Sequence, residues 1–327
     1  MNQTMQPYLI SLKDLSVQLF TEEGKLSIIE NISFSIGRSE IFALVGESGC
    51  GKSITALSLT QLLPSNQASY PSGSIIFEEE DLTQCSIEKL RSIRGKDITY
   101  IFQEPFSSLN PLQKIGDQLI EGFLLHKLGD KEAALAKAEA LLKRVGITDA
   151  KQRLDQYPNQ FSGGMLQRVS IAMALMCDPK LLIADEPTSA IDVTIQLQLI
   201  ELLLELKAEI KMSILFISHD IGLVSNIADR IGVMYAGKLV EVGTTAEVID
   251  SPKHPYAKAL IDAYPTKDKL GKRLQIIDGI VPTPRDYPKG CHFYDRCSER
   301  VSMCKEKDPI FKNLSETHIV QCFVVGS

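Results

Sequence analysis

The stretch Ile41-Phe42-Ala43-Leu44-Val45-Gly46-Glu47-Ser48-Gly49-Cys50-Gly51-Lys52-Ser53 decides the fold. Its apolar opening reads as a buried strand. The residues that follow satisfy the phosphate-binding pattern G-x-x-x-x-G-K-[ST], and helical periodicity begins after Lys52. Each residue type answers a physical demand. Glycines let the backbone wrap around phosphate oxygens, the start of the helix offers unpaired N–H groups, Lys52 neutralises β/γ charge, and Ser53 can ligate Mg²⁺. The expected nucleotide contacts therefore run through Gly46, Glu47, Ser48, Gly49, Cys50, Gly51, Lys52, Ser53 and Ile54. Cys50 occupies a variable position and reads as a small filler.

Leu181-Leu182-Ile183-Ala184-Asp185-Glu186 is a second apolar strand, and it ends in two carboxylates. Asp185 suits a Mg²⁺ ligand acting through water, and Glu186 is placed to polarise the water that attacks a γ-phosphate. Further strands are expected over 9–20, 29–36, 73–77, 98–102, 213–217 and 230–235. Helices are expected after Lys52, over 130–145, 163–176 and 193–210, and again after His219. This alternation predicts an α/β fold with a mostly parallel sheet, while the first two strands form an antiparallel β subdomain in front. A composition shift at Ser251-Pro252-Lys253-His254-Pro255 sets the expected boundary between a domain over 1–250 and an extension over 251–327. No internal repeat is present, so the chain carries one such unit.

The chain has 44% hydrophobic and 23% charged residues, which is ordinary globular composition. A net charge of -6 argues against a nucleic-acid binder held by phosphate neutralisation. No apolar run is long enough to span a bilayer, and the start MNQTMQPYLISLKDL lacks the parts of a secretory signal, so a cytosolic chain is expected. Cysteines there stay reduced. Of the seven, Cys291, Cys297, Cys304 and Cys322 crowd the end of the chain, and clustering points to metal ligation. Their spacing, C-x5-C-x6-C-x17-C, lacks the paired knuckles of a zinc ribbon, while four thiolates suit either zinc or an iron–sulfur cluster. His292 reads as a surface residue.

Phe161-Ser162-Gly163-Gly164-Met165 resembles the signature sequence of ABC (ATP-binding cassette) ATPases, usually L-S-G-G-Q, with Met in place of the final Gln. The resemblance implies a P-loop ABC-type nucleotide-binding domain with a helical subdomain over about 104–180. It also implies that Ser162, Gly163 and Gly164 grip the γ-phosphate of ATP held by a partner cassette, in a head-to-tail dimer. Gln103 matches the Q-loop glutamine, which senses Mg²⁺ and the attacking water. Ser189-Ala190-Ile191-Asp192 resembles the D-loop, which brings Asp192 to the nucleotide. His219 matches the switch histidine at the γ-phosphate, and Phe20 is the candidate for stacking on adenine.

Glu104-Pro105-Phe106-Ser107-Ser108-Leu109-Asn110-Pro111 looks like the segment after the Q-loop in oligopeptide, dipeptide and nickel importer ATPases. The tail, with His254-Pro255-Tyr256 and Gly290-Cys291-His292-Phe293-Tyr294-Asp295-Arg296-Cys297, resembles that branch too. In it the ATPase pairs with a homologous second ATPase and two transmembrane permease subunits, fed by an extracytoplasmic substrate-binding protein. The expected place is the cytoplasmic face of the cell membrane, and the expected cofactors are ATP and Mg²⁺. Some relatives with a similar tail carry a [4Fe-4S] cluster there. A nickel or metal-chelate importer is the alternative. A soluble ABC ATPase ranks lower, because such proteins typically carry two fused cassettes or a long coiled-coil insertion.

Overall fold

The computed structural model describes residues 8–22, 24–104, 108–188, 193–265 and 276–325. Its strands are β1 (Tyr8–Thr21), β2 (Gly24–Gly37), β3 (Ile41–Val45), β4 (Ala68–Phe77), β5 (Glu80–Asp81), β6 (Ile98–Ile101), β7 (Leu181–Asp185), β8 (Ser213–Ser218), β9 (Arg230–Tyr235), β10 (Lys238–Thr244), β11 (Phe311–Asn313) and β12 (Ile319–Gln321). They fall into two units. One holds the described residues up to Gln84 and from Ile217 onward, and the other runs from Cys85 to Phe216.

The first unit opens with an antiparallel sheet in the order β2-β1-β4-β5. Alternation builds it: Ile10, Leu12, Leu15 and Val17 point to one buried face, opposite Ile36, Phe34, Ile32 and Ile29 of β2. β3 lies elsewhere in this unit, parallel to β9, with Leu44 opposite Gly232. All its residues are buried, which is why it reads as a continuous apolar run without alternation. Beyond β9 the pairing turns antiparallel through β10, β12 and β11.

In the second unit β6 and β7 pair in parallel, with Ile98 opposite Leu181 and Ile101 opposite Ala184. Its helices show why their sequences fold as they do. In Lys131–Arg144 the buried positions are Ala134, Ala138 and Leu142, spaced as one helical face. Asp130 caps the start by accepting the Ala133 N–H at 2.8 Å, and Lys143 and Arg144 sit in the last turn, where they oppose the helix dipole. Losing such a cap costs about 0.5–2 kcal/mol.

The expected strands and helices all occur, with ends displaced by a few residues, and the front pair is antiparallel as the sequence suggests. Strands β10, β11 and β12, and the helices Ile115–Leu125 and Pro255–Asp262, were not foreseen. The described residues beyond 250 fall in the same unit as the stretch 46–53. Among the described residues, no helix is long and apolar enough to cross a membrane.

Candidate functional site

The loop after β3 is shaped by its glycines. Gly46 has φ 153°, and a Cβ there would meet the Met234 carbonyl oxygen at 2.1 Å. Gly51 has φ 108°, and its Cβ would meet Ile29 Cδ1 at 2.7 Å and Met234 Cε at 2.8 Å. Only glycine fits both places. Behind them Cys50 is buried; burial pushes its thiol pKa up while Lys52 works against the rise. The cysteine fills space there, as expected. Lys52, 5% exposed, turns back onto the loop and donates to the carbonyls of Gly46 at 2.8 Å and Glu47 at 3.1 Å. Ser48, Gly49 and Ser53 are exposed around it, with Ile54 half-buried.

Glu47 is held from outside the loop. Its N–H donates to the Tyr256 hydroxyl at 2.9 Å, and its carboxylate receives both guanidinium nitrogens of Arg296, at 2.7 and 3.0 Å. Both partners stand in the quoted tail motifs, but nothing there points to Glu47 as their contact. In the same unit, His219 is exposed just past the end of β8, and Asp220 caps the helix Ile221–Ile227 that follows. Phe20 is 38% exposed near the β1–β2 turn, with Lys25 Nζ 5.4 Å from its ring centre. It is therefore not a core residue.

In the second unit the carboxylates at the end of β7 are half-buried. Glu186 has φ 45°, a left-handed conformation that costs a non-glycine residue about 1–3 kcal/mol and persists only where its surroundings impose it. One such constraint is Gln167, whose buried amide donates to the carbonyl of Pro187 at 2.7 Å. Gln103 Nε2 donates to Glu186 Oε2 at 3.1 Å, so two residues chosen separately from the sequence meet. Asp185 Oδ1 is buried and receives no hydrogen bond from the described residues, although the residue is engaged elsewhere. Ser162 is exposed and caps the helix Gly163–Leu175, accepting the Met165 N–H at 3.4 Å, with Gly163 and Gly164 half-buried beside it. Asp192, with Ser189, Ala190 and Ile191, lies outside the described residues.

The tail gathers its cysteines. Cys297, Cys304 and Cys322 are buried and Cys291 nearly so, and the Cys291 N–H donates to the Cys304 carbonyl at 2.8 Å. Burial pushes the Cys291 thiol pKa up to about 12, and the other three thiols add to the rise, so the four sit within electrostatic reach of one another. Backbone N–H groups of Phe293, Glu299, Val324 and Val325 act in the opposite sense on Cys291, Cys297 and Cys322. Sulfurs that accept backbone N–H groups suit a thiolate-ligated centre. For a single ion the fit fails: among the described residues no three His, Cys, Asp or Glu side chains are arranged to hold one metal ion.

His292 corrects the surface reading. It is buried, its Nδ1 lies 2.6 Å from the Ala236 carbonyl, and its Nε2 lies 3.6 Å from Glu30. Glu30 also meets the buried Lys238 at 3.1 Å, and Lys238 pairs in turn with Asp308 of the tail. The ring is enclosed because residues following Gly290 pack down onto the turn between β9 and β10.

Two family models match the chain: "ABC transporter" over residues 29–189, and "Oligopeptide/dipeptide transporter, C-terminal region" over 240–304. The dipeptide transport ATP-binding protein DppD of Bacillus subtilis is 45% identical over 96% of this chain and 94% of its own length. The oligopeptide transport ATP-binding protein OppD of the same organism is 43% identical over 97% of this chain and 89% of its own. Among solved structures, the ATP-binding cassette MJ0796, a dimer bound to ADP and Pi, aligns with TM-score 0.65 at 24% identity, covering 72% of this chain and 98% of that one. The cassette cbiO1 of Clostridium perfringens aligns with TM-score 0.62 at 27% identity, covering 75% of this chain and 92% of its own. This chain belongs to the ABC transporter ATP-binding proteins, in the branch that carries the oligopeptide/dipeptide transporter C-terminal region.

Proposed function

We propose that this chain is the ATPase that energises an importer of oligopeptides or dipeptides across the cytoplasmic membrane. The observation that carries the reading is the pairing, in one chain, of the cassette match with the peptide-transporter C-terminal match. The chain works as a cassette over 1–250 with an extension over 251–327, and it sits at the cytoplasmic face of the membrane. Its partners are a homologous second ATPase subunit and two permease subunits, served by an extracytoplasmic binding protein.

The reaction is ATP plus water to ADP plus phosphate. Lys52 exchanges the carbonyls of Gly46 and Glu47 for β- and γ-phosphate oxygens, and the backbone of Gly46 to Ser53 wraps the phosphate chain. Phe20 stacks on adenine, which its exposure permits. Ser53, Gln103 and Asp185 offer the hard oxygen donors that Mg²⁺ takes, and the ion supplies charge neutralisation at the β- and γ-oxygens when bound. Glu186 accepts the proton of the attacking water, and its hydrogen bond with Gln103 fixes where the carboxylate points. His219 holds the γ-phosphate. Ser162, Gly163, Gly164 and Asp192 act across a dimer, on ATP bound by the partner subunit; the dimeric MJ0796 cassette supports such an arrangement.

The tail carries the second part of the proposal, a [4Fe-4S] cluster on Cys291, Cys297, Cys304 and Cys322. The mutual influence of the thiols and the N–H groups acting on them support it.

The experiment is hydrolysis by the assembled transporter in proteoliposomes, stimulated by peptide-loaded binding protein. Glu186→Gln should keep ATP binding and lose turnover by on the order of 10²-fold or more, since the general base is gone and the loop remains. Near-normal hydrolysis by that variant would remove Glu186 from its role.

A further inference from the structure

A carboxylate sits awkwardly in a loop that receives a polyphosphate. Glu47 follows Gly46 directly, and an unneutralised charge there would repel the anion that the loop exists to hold. The structure answers this with a residue from the far end of the chain. Arg296 meets Glu47 in a bidentate pair at 2.7 and 3.0 Å. Its side chain is 6% exposed, against 30% for that of Glu47. The guanidinium is itself fixed by the carbonyls of Asp278 at 2.9 Å and Ile277 at 3.2 Å, by the Tyr235 hydroxyl at 3.3 Å, and by the Tyr235 ring 5.7 Å away. This bidentate geometry matches what a guanidinium does best with a carboxylate, and a lysine would reproduce the charge but not the fork.

We propose that Arg296 is a positioning residue for nucleotide binding: it neutralises Glu47 and turns its carboxylate away, so that the loop presents N–H groups and Lys52 to phosphate without a competing negative charge. Tyr256 completes the arrangement by accepting the Glu47 N–H, so Glu47 is held at both backbone and side chain by residues beyond 250. The Glu47 carbonyl is also one of the acceptors of Lys52, so the tail reaches the phosphate-binding lysine through a single residue. ATP affinity then becomes a property of the tail as well as of the loop. The inference rests on the proposed reading that this loop binds ATP.

The test measures MgATP binding to the purified full-length chain by displacement of a fluorescent ATP analogue, and KM and kcat in the assembled complex. Arg296→Gln should raise Kd and KM together by about tenfold, with kcat within about twofold, because one unit of uncompensated charge acts on binding and not on the chemical step. Arg296→Lys should recover part of the loss. The deciding variant is Arg296→Gln combined with Glu47→Gln, which should bring Kd back to within about threefold of the parent, since no charge is left to neutralise. A role confined to anchoring the tail would leave the double variant as weak as Arg296→Gln, and that result would overturn the proposal. An unchanged Kd for Arg296→Gln would do the same. Lys52→Ala separates the two levels: if it too binds ATP normally, the nucleotide reading itself fails, whereas its loss of ATP beside an unaffected Arg296→Gln sinks only the role of Arg296.

Discussion

The phosphate loop and the cysteine tail belong to one compact unit, yet they are held in opposite ways. Apart from Glu47, which the tail holds, the loop's shape comes chiefly from its own residues: glycines at φ 153° and 108°, a filler cysteine behind them, and a lysine folded onto carbonyls five and six residues back. The tail takes its place from contacts with distant residues. Arg296 meets Glu47 across 249 residues, His318 meets Glu241 across 77, and His292 meets Ala236 across 56. A shape imposed by neighbouring residues leaves a readable spacing. A shape imposed from afar leaves only composition.

Breaking the loop should have the largest effect. Gly46→Ala must move a Cβ away from the Met234 carbonyl and abandon a backbone conformation that only glycine adopts easily, so a stability loss of about 3 kcal/mol or more is expected. Chemical denaturation and ATP binding would both register it, and a fully stable, ATP-binding Gly46→Ala chain would show that the loop is looser than its glycines imply.

The tail offers the reciprocal experiment. Protein prepared without oxygen should contain iron and acid-labile sulfide and absorb broadly in the visible, and Cys297→Ser should lose that colour while keeping ATP binding within about threefold. Stoichiometric zinc, or no metal in anaerobic preparations, would refute the cluster. Loss of ATP binding in the variant would instead show that the cluster also holds Arg296, its neighbour in sequence, in place against Glu47.

The smallest effect is one of pH, where tail and cassette join. His254 is buried and caps the helix Pro255–Asp262 by accepting the Tyr256 N–H at 3.0 Å on Nδ1, which requires a neutral ring. Burial first, and Lys258 second, push its pKa down to about 3. A folded pKa below the unfolded value of about 6.5 means that the unfolded chain takes up the proton first, so stability falls as pH drops below that value. Between pH 7 and pH 5 this single group should remove about 2 kcal/mol. His254→Asn keeps a capping side chain and cannot titrate, so denaturation curves at the two pH values should lack this share of the loss. An equal pH dependence in both proteins would show that His254 is not the group responsible.

The same contrast explains what could be read beforehand. β3 and β9 were legible to the residue because buried parallel strands are continuous apolar runs. The strand β10 escaped because Glu241 interrupts Lys238–Thr244 at its centre and reads as exposed, although it is 0% exposed in the fold. Glu186 stands out as the end of an apolar strand and Gln103 only by its resemblance to the Q-loop glutamine, and their meeting at 3.1 Å depends on no spacing that a sequence displays. His292 was misread for a related reason: nothing adjacent to it announces the Ala236 carbonyl that receives it. Arg296 stood in the quoted tail motif, but its partner lies near the other end of the chain.

Glu241 also bears on the order in which the protein is made. Its carboxylate accepts the N–H groups of Lys253 at 2.9 Å and of His254 at 2.6 Å, and it meets His318 Nε2 at 2.7 Å. A nascent chain leaves the ribosome from its N-terminus, so β10 emerges first, the N–H donors a little later, and the imidazole last. Until residue 318 is out, that carboxylate lacks its imidazole partner. β10 therefore gains its full set of partners only after the segment around residue 318 has emerged and folded back, and until then this part of the unit is more open to chaperones and proteases.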